Sequence, residues 1–191
     1  VLGVNFLLPI LLQRGLGHTS MIAALILVGF AFGCQPLVGY NYGARNKKRL
    51  KEILAFCYKF ECGRAVILAV ILSAGARPLI RVFMKTPEIV DSGVLMLRLQ
   101  QAGMMFMAVV LVTTCVFQSA GKAMGAFLLS VSRQGVIYGI VIVIASHMIG
   151  YHGVLAAQAV SDFLTALMAA ILLKHELWSE LTDIKRNEEA V

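Results

Sequence analysis

The sequence predicts an all-α, polytopic membrane helical bundle, and three observations carry that expectation. Hydrophobic residues make up 59% of the 191 positions and charged residues only 14%, against about 45–50% and about 25% in ordinary soluble domains. The apolar residues fall in runs long enough to cross a bilayer, for which about 20 helical residues suffice. Cations cluster where those runs stop, most densely at Arg45, Lys47, Lys48, Arg49 and Lys51, as expected where helices reach the cytoplasmic face. The formal net charge of +7 is therefore helix-flanking charge. No basic surface interleaved with aromatics points to nucleic acid.

Taken in order, residues 1–12 form an apolar run of about 18 Å as a helix, too short to span alone. The chain opens inside that run without an initiator Met, so it is expected to start part-way through a helix of a longer protein. A second helix is predicted over 19–42 and a third over 46–76, whose first half carries Lys59, Glu61 and Arg64. Those charges are expected to snorkel towards the inner interface, with Glu61 and Arg64 able to pair at i,i+3; a place in a transport pathway is the alternative. A connector over 77–87 leads to a fourth helix over 86–120, with Thr86 as N-cap and Pro87 at its first position. The fifth and sixth helices are predicted over 123–149 and 154–173. One transmembrane domain thus covers 1–173, followed by an amphipathic cytoplasmic tail over 174–191. The cationic 45–51 loop, Lys122 and the tail all fall on one side, which places the C-terminus inside.

The stretch from Gly29 to Lys51 organises the rest. Pro36 lacks an amide hydrogen, so the carbonyl of Phe32 loses its helical partner and the helix can bend there. Lipid cannot satisfy that carbonyl, which must meet protein, the Gln35 side chain or water; this helix is therefore expected to border an interior cavity. Gly29/Gly33 and Gly39/Gly43 are small-xxx-small spacings that admit a neighbouring helix. Pro36, Gly39 and Gly43 are the candidate hinge.

Polar groups at membrane depth are costly, so each is a functional candidate. Gln158, Ser161, Asp162 and Thr165 stand at i, i+3, i+4 and i+7, a single polar stripe on the sixth helix. Met104, Met107, Leu111, Thr114 and Gln118 share a face of the fourth, and methionines suit a pocket of adaptable shape as well as ordinary helix packing. Arg133 sits about 16 Å beyond Lys122 along the fifth helix, and Asp162 about 18 Å before Lys174 along the sixth. Their similar depth predicts a pair, since a lone charge there would be expensive. The four cysteines are expected to be free thiols, because no spacing matches a zinc or redox motif. No metal cluster, nucleophile–base pair, paired catalytic carboxylates or phosphate loop is apparent, so neither an enzyme nor a cofactor is expected.

From Gln35-Pro36 through Asn41-Tyr42-Gly43-Ala44 the chain resembles the multidrug and toxin extrusion (MATE) family. Phe117–Lys122, Ser132-Arg133-Gln134-Gly135, and Ala156-Ala157-Gln158 followed by Asp162 fit in order. The resemblance implies the C-terminal six-helix lobe, its first helix truncated, of a twelve-helix secondary transporter whose N-terminal lobe lies elsewhere. It further implies efflux of small organic, mainly cationic compounds in exchange for H+ or Na+, by alternating access, in a bacterial cytoplasmic membrane with lipid as surroundings. Gln35, Asn41, Met104, Met107, Thr114, Gln118, Arg133, Gln158 and Asp162 are the pathway candidates. The interior of the fourth helix, 99–120, has no Asp or Glu, where some family members place a cation-binding carboxylate. A lipid-linked oligosaccharide flippase of the same superfamily and a non-transporting structural membrane subunit are the alternatives.

Overall fold

The computed structural model describes residues 25–83 and 87–178; the helix expected over 1–12, Thr86 and most of the tail lie outside them. Among the described residues the chain is helical apart from short turns. It comprises α1 (Leu25–Gly43), α2 (Lys47–Ala74), α3 (Ala76–Phe83), α4 (Pro87–Ser119), α5 (Ala123–Val131), α6 (Ile137–Ile149) and α7 (Tyr151–Leu172). A π-helical turn, Ser132–Val136, joins α5 to α6, and another, Leu173–Trp178, extends α7. Four stretches are long and apolar enough to cross a membrane: Leu25–Gly43, Val90–Ser119, Ala123–Ile149 and Gly153–Glu176. α2, with 28 residues, has the length but carries Lys59, Glu61 and Arg64 midway and is not among them.

α4 is the central post. At 33 residues it is about 50 Å long, and it contributes to every layer of the core. Towards one end its Val112 and Val116 pack with Val38, Leu50 and Leu54. Midway, Met104 and Ala108 meet Leu27 and Ala65. On its other side Val110 and Phe117 meet Leu129, Ala166 and Ala169. At the far end Val94 and Leu97 close over Ala76, Ile80 and Leu155. The α5–α6 helix is peripheral and leaves Phe127, Val136, Ile140, Val143 and Ile144 exposed, an apolar surface that fits lipid rather than water.

Local chemistry sets the ends. Asn46 caps α2, its side-chain oxygen accepting from the Arg49 amide at 3.1 Å, one of the helix-start donors a cap must satisfy. Gly121 takes φ +74° in the turn between α4 and α5, a conformation that glycine adopts without steric cost. There Lys122 Nζ donates to the Glu176 carbonyl at 2.6 Å, and Leu173 packs beside Leu50 and Tyr42. The 43–46 turn, Lys122 and the end of α7 therefore gather at one end of the bundle.

Three expectations are corrected. The connector over 77–87 is largely helical: α3 buries Ala76 and Ile80, four residues apart, and exposes Arg77 and Arg81. Pro78 lies in its first turn, where a missing amide hydrogen costs little, and Arg77 is tied to Asp91 of α4 at 2.6 Å. Of the four glycines in α1, only Gly39 lies at a close approach; an added Cβ would stand 3.3 Å from the Ser119 carbonyl, whereas at Gly29, Gly33 and Gly43 it would meet nothing. Glu61 does not snorkel. Its azimuth on α2 matches Leu50, Leu54, Cys57 and Ala65, so it is fully buried, while Lys59 is exposed.

Candidate functional site

Two polar constellations form, at different heights along α4. The first joins α7 to the α5–α6 helix. Arg133 Nε donates to Asp162 Oδ1 at 2.9 Å, with the two side chains 16% and 6% exposed. The pair expected from depth alone is therefore present, and it is shielded from solvent. Gln158 Nε2 approaches both carboxylate oxygens at 3.4 Å. Ser161 Oγ donates to the Arg133 carbonyl at 3.2 Å, and Thr165 Oγ1 to the Ser161 carbonyl at 2.8 Å.

The π-helical turn belongs to this arrangement. Widening the helix by a residue shifts the backbone bond so that the Ile137 amide reaches the Ser132 carbonyl, and the Arg133 carbonyl receives a bond from the neighbouring helix. Such single-turn bulges recur at functional sites. Sequence reasoning missed it; the signal was the polar, small-residue run Ser130, Ser132, Gly135 within an apolar helix. Gly103 of α4 supplies the remaining wall. A Cβ there would lie 3.1 Å from Ala159 Cα and 3.3 Å from Asp162 Oδ2, so α4 and α7 meet at the carboxylate through a residue without a side chain. The stripe Gln158, Ser161, Asp162 and Thr165 faces protein as one surface, with the last three buried.

The second constellation lies near the Lys122 end. Gln35 Nε2 of α1 donates to Gln118 Oε1 of α4 at 2.8 Å, with Gln118 exposed and Gln35 half-buried. α1 continues as helix through Pro36 to Gly43. Asn41 donates its side-chain amide back to the Leu37 carbonyl at 2.8 Å and is 9% exposed. Beneath the glutamine pair lies a narrow cavity of about 10 Å³ bordered by Cys34, Gln35, Cys57, Cys115 and Ser119, near the smallest space that holds one water.

The face of α4 carrying Met104, Met107, Thr114 and Gln118 does not line a single space. Met104 is core, 5% exposed among Leu27, Ala65 and Ala108. Met107 and Thr114 are half-buried, with Thr114 Oγ1 donating to the Val110 carbonyl at 2.8 Å. Only Gln118 is exposed. Neither constellation gathers all the candidates: Arg133, Gln158 and Asp162 are together, and Gln35 and Gln118 are together.

A bundle of apolar helices with charged groups paired inside it is an integral membrane protein. The sequence model of the MatE family matches residues 15–145, and the chain belongs to that family. It is 26% identical over 159 residues to the multidrug export protein MepA of Staphylococcus haemolyticus, covering 83% of this chain and 34% of that protein. For MepA of Staphylococcus aureus strain NCTC 8325 the identity is 27% at the same coverage. The chain thus spans about a third of the length of the curated relatives it matches. Its fold is that of an outward-facing multidrug resistance MATE transporter of the MOP superfamily (TM-score 0.82, 17% identity, 90% of this chain, 39% of that one). The inward-facing form of such a transporter matches at TM-score 0.79, with 18% identity over 85% of this chain and 38% of that one.

Proposed function

We propose that this chain is the C-terminal six-helix lobe of a secondary active exporter of small organic, mainly cationic compounds, driven by exchange for H+ or Na+ through alternating access. The membership of the MATE family, with multidrug exporters as relatives, is the observation that carries this reading. In it, Gln35 and Gln118 stand on the surface that faces the transported compound, as hydrogen-bonding groups on a wall otherwise apolar. The Arg133–Asp162–Gln158 cluster holds the α4, α5–α6 and α7 helices as one body that rocks as a unit. Asn41 keeps the α1–α2 turn in place. The cationic end of the bundle is cytoplasmic, and the membrane is the bacterial inner membrane.

Uptake of ethidium into inverted vesicles containing the intact protein tests this reading. Accumulation driven by an imposed proton or sodium gradient, and weakened by Gln35→Ala, is expected. Wild-type vesicles that never move ethidium, or any other organic cation, under either gradient would remove it.

A further inference from the structure

Glu61 has no part in the arrangement above, yet it is among the costliest residues in the fold. It lies about 21 Å along α2 from Lys47, with none of its side chain exposed. Arg64 Nη2 stands 3.4 Å from Oε2, but neither carboxylate oxygen accepts a hydrogen bond, and Arg64 Nε is likewise unsatisfied. The guanidinium is held independently. It lies 5.0 Å from the centroid of Phe30 and 5.5 Å from that of Phe60, and it donates to the Ile26 carbonyl. Cation–π contacts of this kind are worth most where water is excluded. Among the described residues the other titratable groups interacting with Glu61 are Cys57 and Cys62 of its own helix and Cys115 of α4. α1 has no charged residue over 25–43, and α4 has none over 99–119.

From this geometry we propose that Glu61 is a proton-binding site, alternating between carboxylate and neutral acid as the transporter cycles. The proposal rests on the export reading and assigns its coupling ion to this carboxyl group. A proton leaves a hydronium ion and bonds to one carboxylate oxygen, and water takes it back; no other bond changes. Arg64 keeps its charge in both states, because the two rings and the Ile26 carbonyl hold it without Glu61. The site suits a proton and not sodium. A hard metal cation needs several oxygens around it, and here one carboxylate stands alone with a guanidinium 3.4 Å away. Cys57, one helical turn from Glu61, borders the water-sized cavity that also touches Gln35.

Infrared difference spectra of the intact protein in lipid vesicles, taken between alkaline and acidic pH, read the proton directly. A carboxylic acid carbonyl band is expected in the wild type, lost in Glu61→Gln and displaced in Glu61→Asp. A band of unchanged intensity and midpoint in Glu61→Gln overturns the assignment. Should Glu61→Gln fail to accumulate, the Glu61→Asp displacement decides the matter, and a band unmoved by that change overturns it equally. Proton-driven ethidium efflux is expected to be lost in Glu61→Gln while ethidium binding persists; efflux equal to wild type sinks the coupling role. If wild-type vesicles export nothing, the export reading fails by itself, and the infrared band still reports whether Glu61 takes the proton.

Discussion

Among the described residues two ion pairs sit inside the bundle, built from the same kinds of residue and finished differently. Arg133 and Asp162 come from separate helices, meet at 2.9 Å, and are surrounded by Gln158, Ser161 and a π-helical turn shaped to them. Glu61 and Arg64 come from one helix, stand 3.4 Å apart, and leave two carboxylate oxygens and a guanidinium nitrogen without hydrogen bonds. A buried charge is tolerable when its partner and its hydrogen bonds repay the lost water. The first pair meets that condition and ties helices together. The second does not, and its looseness leaves the carboxyl group free to change charge.

The largest effect is expected from breaking the finished pair. Arg133→Ala strands Asp162, 6% exposed, and should destabilise the protein by about 3–5 kcal/mol, as removal of one partner from a buried pair does. Adding Asp162→Asn to it should restore part of the loss. A double-mutant cycle on thermal unfolding in detergent should return a coupling of about 1–3 kcal/mol. Near-zero coupling would mean that the pair is geometry without energy.

Next in size is the wall behind that pair. Gly103→Val places a branched side chain where even a Cβ would be 3.1 Å from Ala159 Cα. Overpacking of this kind costs about 1–3 kcal/mol, read as a lowered unfolding temperature. Gly63→Val, where a Cβ would meet nothing within 4 Å, is the matched control and should not lower it.

How much of this contrast was legible in the sequence depends on direction. Rise per residue is fixed, so depth along the bundle could be counted, and the count from Lys122 and Lys174 put Arg133 and Asp162 at one height. Azimuth was harder. A charged residue on a membrane helix usually snorkels, but the spacing of Glu61 from Leu50, Leu54, Cys57 and Ala65 places it on the buried stripe. Met104 and Gln118 share a face by periodicity, but the 14 positions that separate them carry that face from the core to the surface as α4 passes between different neighbours. The helix at Ala76–Phe83 falls within the stretch expected to be a connector; it is only two turns long, and its Pro78 is tolerated because it lies in the first turn. The π-helical turn has no period of its own to detect.

The unfinished pair should respond in the opposite sense. Glu61→Gln removes a buried charge that accepts no hydrogen bond, while the Phe30 and Phe60 rings and the Ile26 carbonyl still hold Arg64. Unfolding stability should stay within about 1 kcal/mol of wild type, since the change removes a desolvated charge that accepts no hydrogen bond and leaves Arg64 its ring and carbonyl contacts. A loss as large as that of Arg133→Ala would show that the two pairs do the same structural work and would erase the contrast.

The smallest effect on stability belongs to Gln118→Ala. Its side chain is exposed, and its bond to Gln35, 2.8 Å long, competes with water, so unfolding should shift by no more than about 0.5 kcal/mol. Transport is where it should register: with Gln118 truncated, Gln35 loses its amide partner on α4, and ethidium efflux should slow. A variant that unfolds early would place this glutamine with Arg133 and Asp162 in the scaffold. One that unfolds normally and exports poorly would place it on the surface the transported compound meets.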